Sequence, residues 1–468
     1  MQRCNHRTEG GASETDERRL TPAQRAFIVA KFAPMKILII GGGGREHALA
    51  WKLRQSPHVQ HVCCAPGNGG IARDAECIPV DVGKTGSLVS LAEQLKPDLT
   101  VVGPEGPLVG GIVDEFMKVG LKIVGPSQAA AQLEGSKIFA KQFMVRHGIP
   151  TAFVHGIFDS ADEARAAIGS VDGPVVIKAN GLCAGKGVLV TSSHHEAAAF
   201  LDRLLVQREF GESGSRVLVE EGLEGEELSY IVITDGQHVL PLAPSRDHKR
   251  AFDGNRGPNT GGMGAYSSDN LLPSELNESI LSGIVSPTIN GLRHEGLPYK
   301  GFLYFGLMIT REGPKVLEYN CRLGDPETQA ILLRMDFDLA EALSALVNDK
   351  LDEVRGAWKE GGSVVVVVAS EGYPGAVISG KPILGLSEAT RVPGANVFHA
   401  ATQLKDGSYY TCGGRVLGVA CASPSIIEAS RRAYAAVGKI RFEGMQFRTD
   451  IGHAEELKGM GAAGTKIG

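Results

Sequence analysis

The sequence predicts an α/β protein whose folded part opens with a doubly wound parallel sheet. From Met35 onward, the apolar runs KILII, HVCCA, DLTVVG and LKIVG alternate with amphipathic helical patterns. Short buried strands that alternate with helices are typical of parallel sheets. Each run ends in a Gly- or Pro-rich turn, and open α/β sheets bind ligands at the carboxyl ends of their strands. We therefore expect a ligand site at these turns.

The strand-end turns carry polar groups suited to a small anionic ligand. The first turn is a glycine run at 41–44 that opens a helix, and such a helix start can bind an anion. Asn68 and Glu105 stand in neighbouring turns. Because Glu46 occupies the third glycine position of a G-x-G-x-x-G fingerprint, dinucleotide binding is not predicted. An NAD-dependent oxidoreductase is therefore disfavoured, and tight NADH binding would favour that interpretation again.

A second glycine-rich loop lies in PVVIKANGLCAGKGVLVT, residues 174–191. A β-branched run ends at Lys178 and another begins after the loop, which predicts strand, loop and strand. Gly185, Lys186 and Gly187 offer close backbone approach and positive charge, as a polyphosphate requires. The Walker P-loop is not met, because Gly187 follows Lys186 where Ser or Thr is needed. A flexible hairpin tip is the alternative interpretation.

The most informative carboxylate lies in PKVLEYNCRLGDPETQ. Alternate side chains of a strand share a face, so Glu318, Asn320 and Arg322 are expected to point the same way. Neighbouring carboxylate and amide oxygens suit Mg²⁺, which usually shares its shell with substrate phosphates. Arg322 would then hold a transferring phosphoryl group. A surface strand of alternating polarity also explains the spacing, but not the rigid polar turn GDPE that follows.

Further segments supply candidate cations and define the remaining elements. Residues 129–147 predict one helix with Lys137 and Lys141 on one face. Residues 243–266 are polar and glycine-rich, and their charged start predicts a lid loop over anions. A helix is predicted at 331–347. The strands that follow it are interpreted as packing and closure.

Composition excludes several classes of function. The chain has 468 residues, 43% of them hydrophobic, and a net charge of −5 without blocks of like charge. Neither a nucleic-acid groove nor a membrane surface is indicated, so small molecules are the expected partners. Eight cysteines at irregular positions, without a C-x-x-C pair, fit neither a disulfide framework nor a zinc site. This usage favours a cytoplasmic location.

These segments together resemble the ATP-grasp ligases, and among them the phosphoribosylamine–glycine ligase family. The resemblance is carried in order by GGGGREHALAW, APGN, VGPEGPLV, LEGSK, IKANGLCAGKGV, DHKR, GPNTGGMGAY, GFLYFGLM and EYNCRLGDPETQ. It covers nearly the whole chain from Met35. It implies ATP-dependent joining of glycine to 5-phosphoribosylamine through glycyl phosphate, with ADP and phosphate as products, in purine synthesis.

The resemblance also implies a role for each candidate residue. Those implied to hold ATP are Lys137, Lys178, Gly185, Lys186, Gly187, Glu220, Glu221, Leu223 and Glu227. Those implied to receive phosphoribosylamine are Gly43, Gly44, Asn68 and Glu105, and those implied to act at the reacting centre are Asp247, Arg322, Asp325 and Lys178. Glu318 and Asn320 would bind Mg²⁺ or Mn²⁺. Many ATP-grasp enzymes have a further acidic metal ligand where this chain has Gly306.

The implied architecture is a disordered leader followed by three domains. The leader is 1–34, and a Rossmann-like substrate domain covers 35–136. An ATP-grasp core domain covers 137–349, with a lid at about 150–208 and a large subdomain, and a small C-terminal α/β domain covers 350–468. A monomer or weak homodimer is expected.

Two alternatives within this fold remain open. One is a carboxylating enzyme that resembles biotin carboxylase and uses bicarbonate in place of glycine. The other is a nucleotide-binding regulator that keeps the fold without turnover. Bicarbonate-stimulated phosphate release would favour the first, and the absence of any ADP formation would favour the second.

Overall fold

The computed structural model describes residues 34–183 and 185–453. The predicted leader lies outside these residues, apart from Pro34. The α/β class is confirmed in the described part, where strands and helices assemble into several sheets. No helix within these ranges is long and apolar enough to span a membrane.

The folded part begins with the parallel sheet that the alternating pattern predicted. Its elements are β1 (Met35–Gly41), α1 (Gly44–Leu53), β2 (Val59–Pro66), β3 (Glu76–Cys77), α2 (Thr85–Leu95), β4 (Leu99–Val102), α3 (Glu105–Val109), α4 (Ile112–Lys118) and β5 (Ile123–Pro126). The strand order is β3-β2-β1-β4-β5, and every pairing is parallel. The chain moves outward from β1 in both directions, so the carboxyl end of β1 opens a crevice for a ligand. The glycine run at 41–44 lies at this crevice.

The single helix predicted at 129–147 is divided in two. It consists of α5 (Gln132–Gly135) and α6 (Lys137–Arg146). Between them, Ser136 has an extended backbone and its hydroxyl accepts a hydrogen bond from the Phe139 N–H group. A serine at this position caps a new helix start. The division places Lys137 at the first position of α6.

The predicted strand, loop and strand at 174–191 is confirmed within a small antiparallel sheet. The elements of this region are β6 (Val154–Phe158), α7 (Ala161–Ile168), β7 (Val175–Ala179), β8 (Val188–Thr191), α8 (His194–Leu201) and β9 (Val217–Glu221). The strand order is β6-β9-β7-β8. Buried Ala164, Ile177 and Leu201 belong to one apolar cluster between the sheet and its helices. We call this sheet with its two helices the lid.

The region after the lid extends the first sheet. Its elements are β10 (Glu226–Thr234), β11 (Val239–Pro241), β12 (Arg246–Asp247), β13 (Arg250–Phe252), β14 (Arg256–Asn259), β15 (Gly264–Ser268), α9 (Ser274–Ile280), α10 (Ser286–His294), β16 (Tyr299–Thr310) and β17 (Gly313–Asn320). β16 pairs antiparallel with β10 and β17, and Tyr299 pairs with Pro126 of β5. The result is a nine-stranded mixed sheet. β17 is thereby fixed beside the crevice at β1.

The segment at 243–266 differs from the predicted lid loop, because it contains paired strands. β12 pairs with β15, and β13 pairs with β14 in a short hairpin. The buried guanidinium of Arg448 donates to the Arg250 carbonyl and to Asn255 Oδ1 and is ion-paired with Asp450. The contacts with Arg250 and Asn255 are made across nearly 200 residues of sequence, so local composition did not reveal them.

The helix predicted at 331–347 is also two helices, α11 (Glu327–Arg334) and α12 (Leu339–Val347). Asp338 accepts hydrogen bonds from the N–H groups of Ala340 and Glu341 and so starts the second helix. The interruption lets α11 pack under the C-terminal strands.

The C-terminal region is α/β, as the resemblance implied. Its elements are β18 (Gly362–Ala369), β19 (Pro382–Ile383), α13 (Leu386–Ala389), β20 (Ala395–His399), β21 (Thr402–Lys405), β22 (Ser408–Thr411), β23 (Arg415–Ser423) and α14 (Ile426–Val437). One sheet has the order β12-β15-β18-β23-β20 and a smaller one the order β19-β22-β21. Because β15 pairs with β18, the region shares a sheet with the preceding domain. The predicted domain limits at 136/137 and 349/350 remain predictions.

The packing of α12 yields a stability prediction. Leu343 is fully buried in α12, so Leu343→Ala should leave a cavity and lower the free energy of unfolding by about 2–5 kcal/mol. Leu384→Ala is the matched control, because Leu384 is 64% exposed and its loss should change that free energy by less than about 0.5 kcal/mol. Urea unfolding followed by circular dichroism measures both values. Equal losses in the two variants would contradict this packing.

Candidate active site

A cavity of about 900 Å³ lies where the crevice at β1, the lid, β17 and the C-terminal region meet. We call it the central cavity. The sequence-predicted site residues that line it are Gly43, Glu105, Lys137, Lys178, Gly185, Lys186, Gly187, Glu220, Asp247, Glu318, Asn320, Arg322 and Asp325. The structure therefore brings together site residues from the first two predicted domains, and Tyr373 and Arg415 of the third also line the cavity. Their individual roles remain predictions.

The other predicted site residues do not line the cavity. They are Gly44, Asn68, Glu221, Leu223 and Glu227. The Asn68 amide donates to the carbonyls of Gly42 and His399, and its oxygen accepts from the N–H groups of Gly70 and Ile71. Its side chain therefore holds the strand-end turns together. Asn68 remains a predicted substrate residue, but its observed contacts are with the protein.

Two lysines at the lid end of the cavity share one buried carboxylate. Lys178 Nζ lies 2.6 Å from Glu220 Oε2, and Lys141 Nζ lies 2.5 Å from Glu220 Oε1. Glu220 is 1% exposed. Burial lowers the pKa of Lys141 to about 8; burial opposes ionisation of Glu220, but Lys178 and Lys141 hold its pKa below the usual value. Two ammonium groups against one carboxylate leave a net positive charge, which favours an anionic ligand.

The glycine loop of the lid is attached to α6 and approaches the segment after β14. Lys137 Nζ donates to the Gly181 carbonyl at 2.9 Å. Gly185 has a φ of +77°, and a Cβ atom there would lie 3.3 Å from the Thr260 carbonyl oxygen. A glycine thus satisfies both the backbone conformation and the close approach. The loop places Lys186 on the cavity wall without a bulky side chain beside it.

β17 presents the predicted metal-binding pair. Glu318 and Asn320 line the cavity, and Tyr319 between them is only 2% exposed, as the alternation predicted. Burial raises the pKa of Glu318, but Lys249, Lys178 and Lys137 outweigh it and lower the pKa overall. An ionised carboxylate beside an amide oxygen is a hard-oxygen donor set that fits a divalent cation. The donor chemistry at this position therefore agrees with Mg²⁺ or Mn²⁺.

Gly306 stands where many ATP-grasp enzymes have an acidic metal ligand, and the space around it explains why a larger side chain is absent. Gly306 pairs with Glu318 across β16 and β17, and a Cβ atom on Gly306 would lie 3.0 Å from Glu318 Cγ. An acidic side chain would not fit here without movement of Glu318. Glu318 instead faces Lys249, whose Nζ lies 3.5 Å from Glu318 Oε1 and 3.0 Å from Glu227 Oε2. Lys249, in the DHKR segment, was not singled out from the sequence.

Arg322 is fixed by two carboxylates near the crevice at β1. Its Nη2 lies 2.9 Å from Glu134 Oε1, and its Nε lies 3.4 Å from Glu105 Oε2. Burial disfavours the charge on Arg322, but these two carboxylates raise its pKa overall. Glu134 was missed in the sequence, because nothing local marks a carboxylate in α5 as the partner of an arginine about 190 residues away. Arg322 is thus a positioned cation.

Glu46, which stands at the third glycine position of the dinucleotide fingerprint, fixes the glycine run by contacts of its carboxylate. Its Oε2 accepts from the Gly43 N–H group at 2.5 Å, and its Oε1 lies 2.8 Å from Arg45 Nε. Arg45 in turn donates to the Leu323 carbonyl at 2.9 Å. The first turn of α1 is therefore tied to the segment after β17.

The C-terminal region contributes to the cavity, which the expectation of packing and closure did not foresee. Arg415 Nη2 lies 3.1 Å from Asp325 Oδ2, and its Nη1 donates to the Asp325 carbonyl at 2.6 Å. The Tyr373 hydroxyl accepts from the Gly261 N–H group at 2.9 Å. Burial opposes the charge on Asp325, but Arg415 and Arg45 lower its pKa overall. The GGRVLGVACA motif contains Arg415, but only the folded chain brings it to Asp325.

Asp247 lies in a crowded acidic part of the cavity wall. Burial, together with the carboxylates of Glu327 and Glu227, raises its pKa to about 8 overall, although Lys249 lowers it. A carboxyl group with such a pKa exchanges a proton near neutral pH. This property is typical of a group that takes part in proton transfer.

The arrangement defines an ATP-grasp protein. Family models for the phosphoribosylglycinamide synthetase N domain, ATP-grasp (A) domain and C domain match residues 35–134, 135–328 and 363–454. The biotin carboxylase domain of Hydrogenobacter thermophilus 2-oxoglutarate carboxylase covers 88% of this chain and 91% of its own, with 18% identity and a TM-score of 0.67. At that identity the likeness shows the fold alone.

More similar proteins identify the branch within this class. Phosphoribosylamine–glycine ligase from Vibrio vulnificus is 49% identical over 422 residues, which cover 90% of this chain and 98% of the relative. The Salmonella typhimurium ligase is 50% identical over 422 residues, covering 89% and 98%. The crystal structure of the Thermotoga maritima ligase covers 89% of this chain and 99% of its own, with 35% identity and a TM-score of 0.74. The chain belongs to the phosphoribosylamine–glycine ligase family.

The shared carboxylate at the lid gives a second stability prediction. Glu220→Gln should lower the free energy of unfolding by about 3–5 kcal/mol, because Lys141 and Lys178 would remain buried without a countercharge. Glu224→Gln is the control, since Glu224 is an exposed glutamate in the connection that follows β9. Urea unfolding of both variants is the measurement. A loss for Glu220→Gln no larger than that of the control would show that the two lysines do not depend on this carboxylate.

Proposed function

We propose that this protein joins glycine to 5-phosphoribosylamine, with cleavage of ATP to ADP and phosphate, and so makes glycinamide ribonucleotide for purine synthesis. Membership of the family supports this reaction. The observation that carries it is the central cavity, where lid lysines, the Glu318 and Asn320 pair and the Arg322 and Asp325 turn face one space. Small molecules are the partners of such an enclosed site.

The reaction is difficult because a carboxylate has no good leaving group. One glycine carboxylate oxygen attacks the γ-phosphorus of ATP, and ADP leaves. The resulting glycyl phosphate is attacked at its carbonyl carbon by the amine of phosphoribosylamine, and phosphate leaves as the amide forms. Both steps concentrate negative charge, so catalysis depends on positioned cations and exclusion of water.

The lid side of the cavity matches the phosphates of ATP. Lys137, Lys178 and Lys186 are assigned to bind them, with Gly185 and Gly187 allowing close backbone approach. Glu220, Glu221 and Leu223 are assigned to the adenine edge, and Glu227 to the ribose. Glu318 and Asn320 would hold Mg²⁺ or Mn²⁺, which would supply positive charge to the phosphates when bound.

The opposite side matches the two other substrates. Gly43, Gly44, Asn68 and Glu105 are assigned to phosphoribosylamine. Gly43 and Glu105 line the cavity, and the Asn68 amide donates to the Gly42 carbonyl beside them. Arg322, fixed by Glu134 and Glu105, is assigned to the transferring phosphoryl group. We assign the proton leaving the attacking amine to Asp247, because its carboxyl group lines the cavity and its pKa is raised by burial.

Arg415 is assigned as a positioning residue for the reacting centre. It holds both the side chain and the carbonyl of Asp325 and donates to the Gly261 carbonyl. A planar guanidinium can make such contacts simultaneously, whereas an ammonium cannot reproduce the fork.

We also propose a cytoplasmic location and a monomer or weak homodimer. The described cysteines are free thiols, which supports a reducing compartment.

The function is tested by phosphate release from Mg-ATP. Release should require freshly generated phosphoribosylamine and glycine together, and should fall at least about 100-fold in Lys186→Ala and Glu318→Ala, because each removes charge stabilisation at the phosphates. Release stimulated by bicarbonate without glycine would instead support a carboxylating enzyme. ATP binding without any ADP formation would support a regulator.

The C-terminal contribution is tested with Arg415. Arg415→Ala should lower kcat by about 10- to 100-fold, because Asp325 loses its fixed orientation, while the KM for ATP stays near the native value. Arg415→Lys should recover only part of the loss. Arg391→Ala is the control, because Arg391 is exposed. Full activity in Arg415→Ala would refute the positioning role.

A further inference from the structure

A thiol, an imidazole and a carboxylate converge at the edge of the first sheet. His61 and Cys63 lie on β2, and Glu76 lies on the edge strand β3. One ligand atom from each lies within 4.8 Å of the other two. His61 Nε2 is 2.8 Å from Glu76 Oε2, and Cys63 Sγ is 3.8 Å from the same oxygen. None of the three lines the central cavity.

The backbone, and not only side-chain conformation, sets this convergence. Cys63 pairs directly with Glu76 in the parallel β2–β3 ladder. His61 precedes Cys63 by two residues, so both side chains project from the same face of β2. The Ile78 N–H group donates to the Cys64 carbonyl at 2.9 Å and anchors the strand just beyond Glu76. The spacing is therefore built into the sheet.

The three groups differ in their exposure to solvent, and a metal ion could contact all three from the solvent side. Cys63 is 1% exposed at the base, whereas the side chains of His61 and Glu76 are 45% and 54% exposed at the rim. A metal ion would reach the thiol from the solvent side and would keep a fourth position open to water. Burial and the nearby Glu76 raise the pKa of the Cys63 thiol to about 11, although Lys36 lowers it. Binding would thus release a proton.

We propose that His61, Cys63 and Glu76 form a Zn²⁺ site that is separate from the Glu318 and Asn320 pair. Sulfur, imidazole nitrogen and one carboxylate oxygen are the ligands that Zn²⁺ accepts, whereas Mg²⁺ requires oxygen ligands. The residues do not follow a sequence pattern typical of zinc, because the third ligand comes from a neighbouring strand. A bound ion would link β3 to β2 across the connecting segment that contains Asn68.

Co²⁺ titration of the chelator-treated full-length protein tests the site, because a thiolate ligand gives an intense sulfur-to-cobalt charge-transfer band. The band should saturate at one equivalent, should be displaced by Zn²⁺, and should vanish in Cys63→Ser. His61→Ala, at an exposed position, should weaken Co²⁺ binding at least tenfold. Cys412→Ser is the matched control, because Cys412 is an exposed thiol outside the cluster, and it should keep the full band.

Thermal unfolding provides an independent readout. Added Zn²⁺ should raise the Tm of the native protein and of Cys412→Ser, because an ion that binds only the folded state stabilises it. Cys63→Ser should show no such rise. Absence of the charge-transfer band in the native protein, or a band that persists in Cys63→Ser, would overturn the proposal.

Discussion

Pairing between cations and carboxylates that are buried or half-buried is the constraint on which the central cavity depends. Lys178 is held by Glu220, Arg322 by Glu134 and Glu105, and Arg415 by Asp325. Lys178 and Glu220 both lie in the lid, and Lys141 joins α6 to the lid through the same carboxylate. The pairs of Arg322 and Arg415 join different elements and so fix the relative positions of the central sheet and the C-terminal strands. A buried ion pair contributes little net stability, but removal of one partner is expensive. These charges therefore act mainly to fix geometry.

The same pairs leave the cavity suited to polyanionic substrates. Lys141 and Lys178 share one carboxylate, and Lys137 and Lys186 line the same wall. Arg322 and Arg415 are oriented before any substrate binds, because each guanidinium already contacts carboxylates of the protein. Preorganised charge needs little rearrangement during the reaction, which is the physical basis of electrostatic catalysis. We propose that the carboxylates of Glu318 and Asp247 provide the complementary sites for a cation and a proton.

Local periodicity explains how much could be predicted from the sequence. The strands flanking the glycine loop depend on neighbours in the chain and are confirmed. The alternation along β17 is interrupted at Leu317, where the pairing with β16 shifts in register. Arg415, Glu134 and Lys249 were missed, since their partners lie on other elements. Helical periodicity also hid the caps at Ser136 and Asp338, whose hydrogen bonds divide apparently continuous helices. Sequence patterns thus located the walls of the site but not the ion pairs that orient them.

The glycyl phosphate intermediate is tested most directly by following the oxygen atoms of glycine. Glycine labelled with ¹⁸O in its carboxylate would be incubated with the protein, Mg-ATP and phosphoribosylamine, and the released phosphate would be analysed by mass spectrometry. We predict one ¹⁸O atom in each phosphate, because a glycine oxygen bridges carbon and phosphorus before the amide forms. Phosphate without ¹⁸O, released at the rate of amide formation, would contradict it.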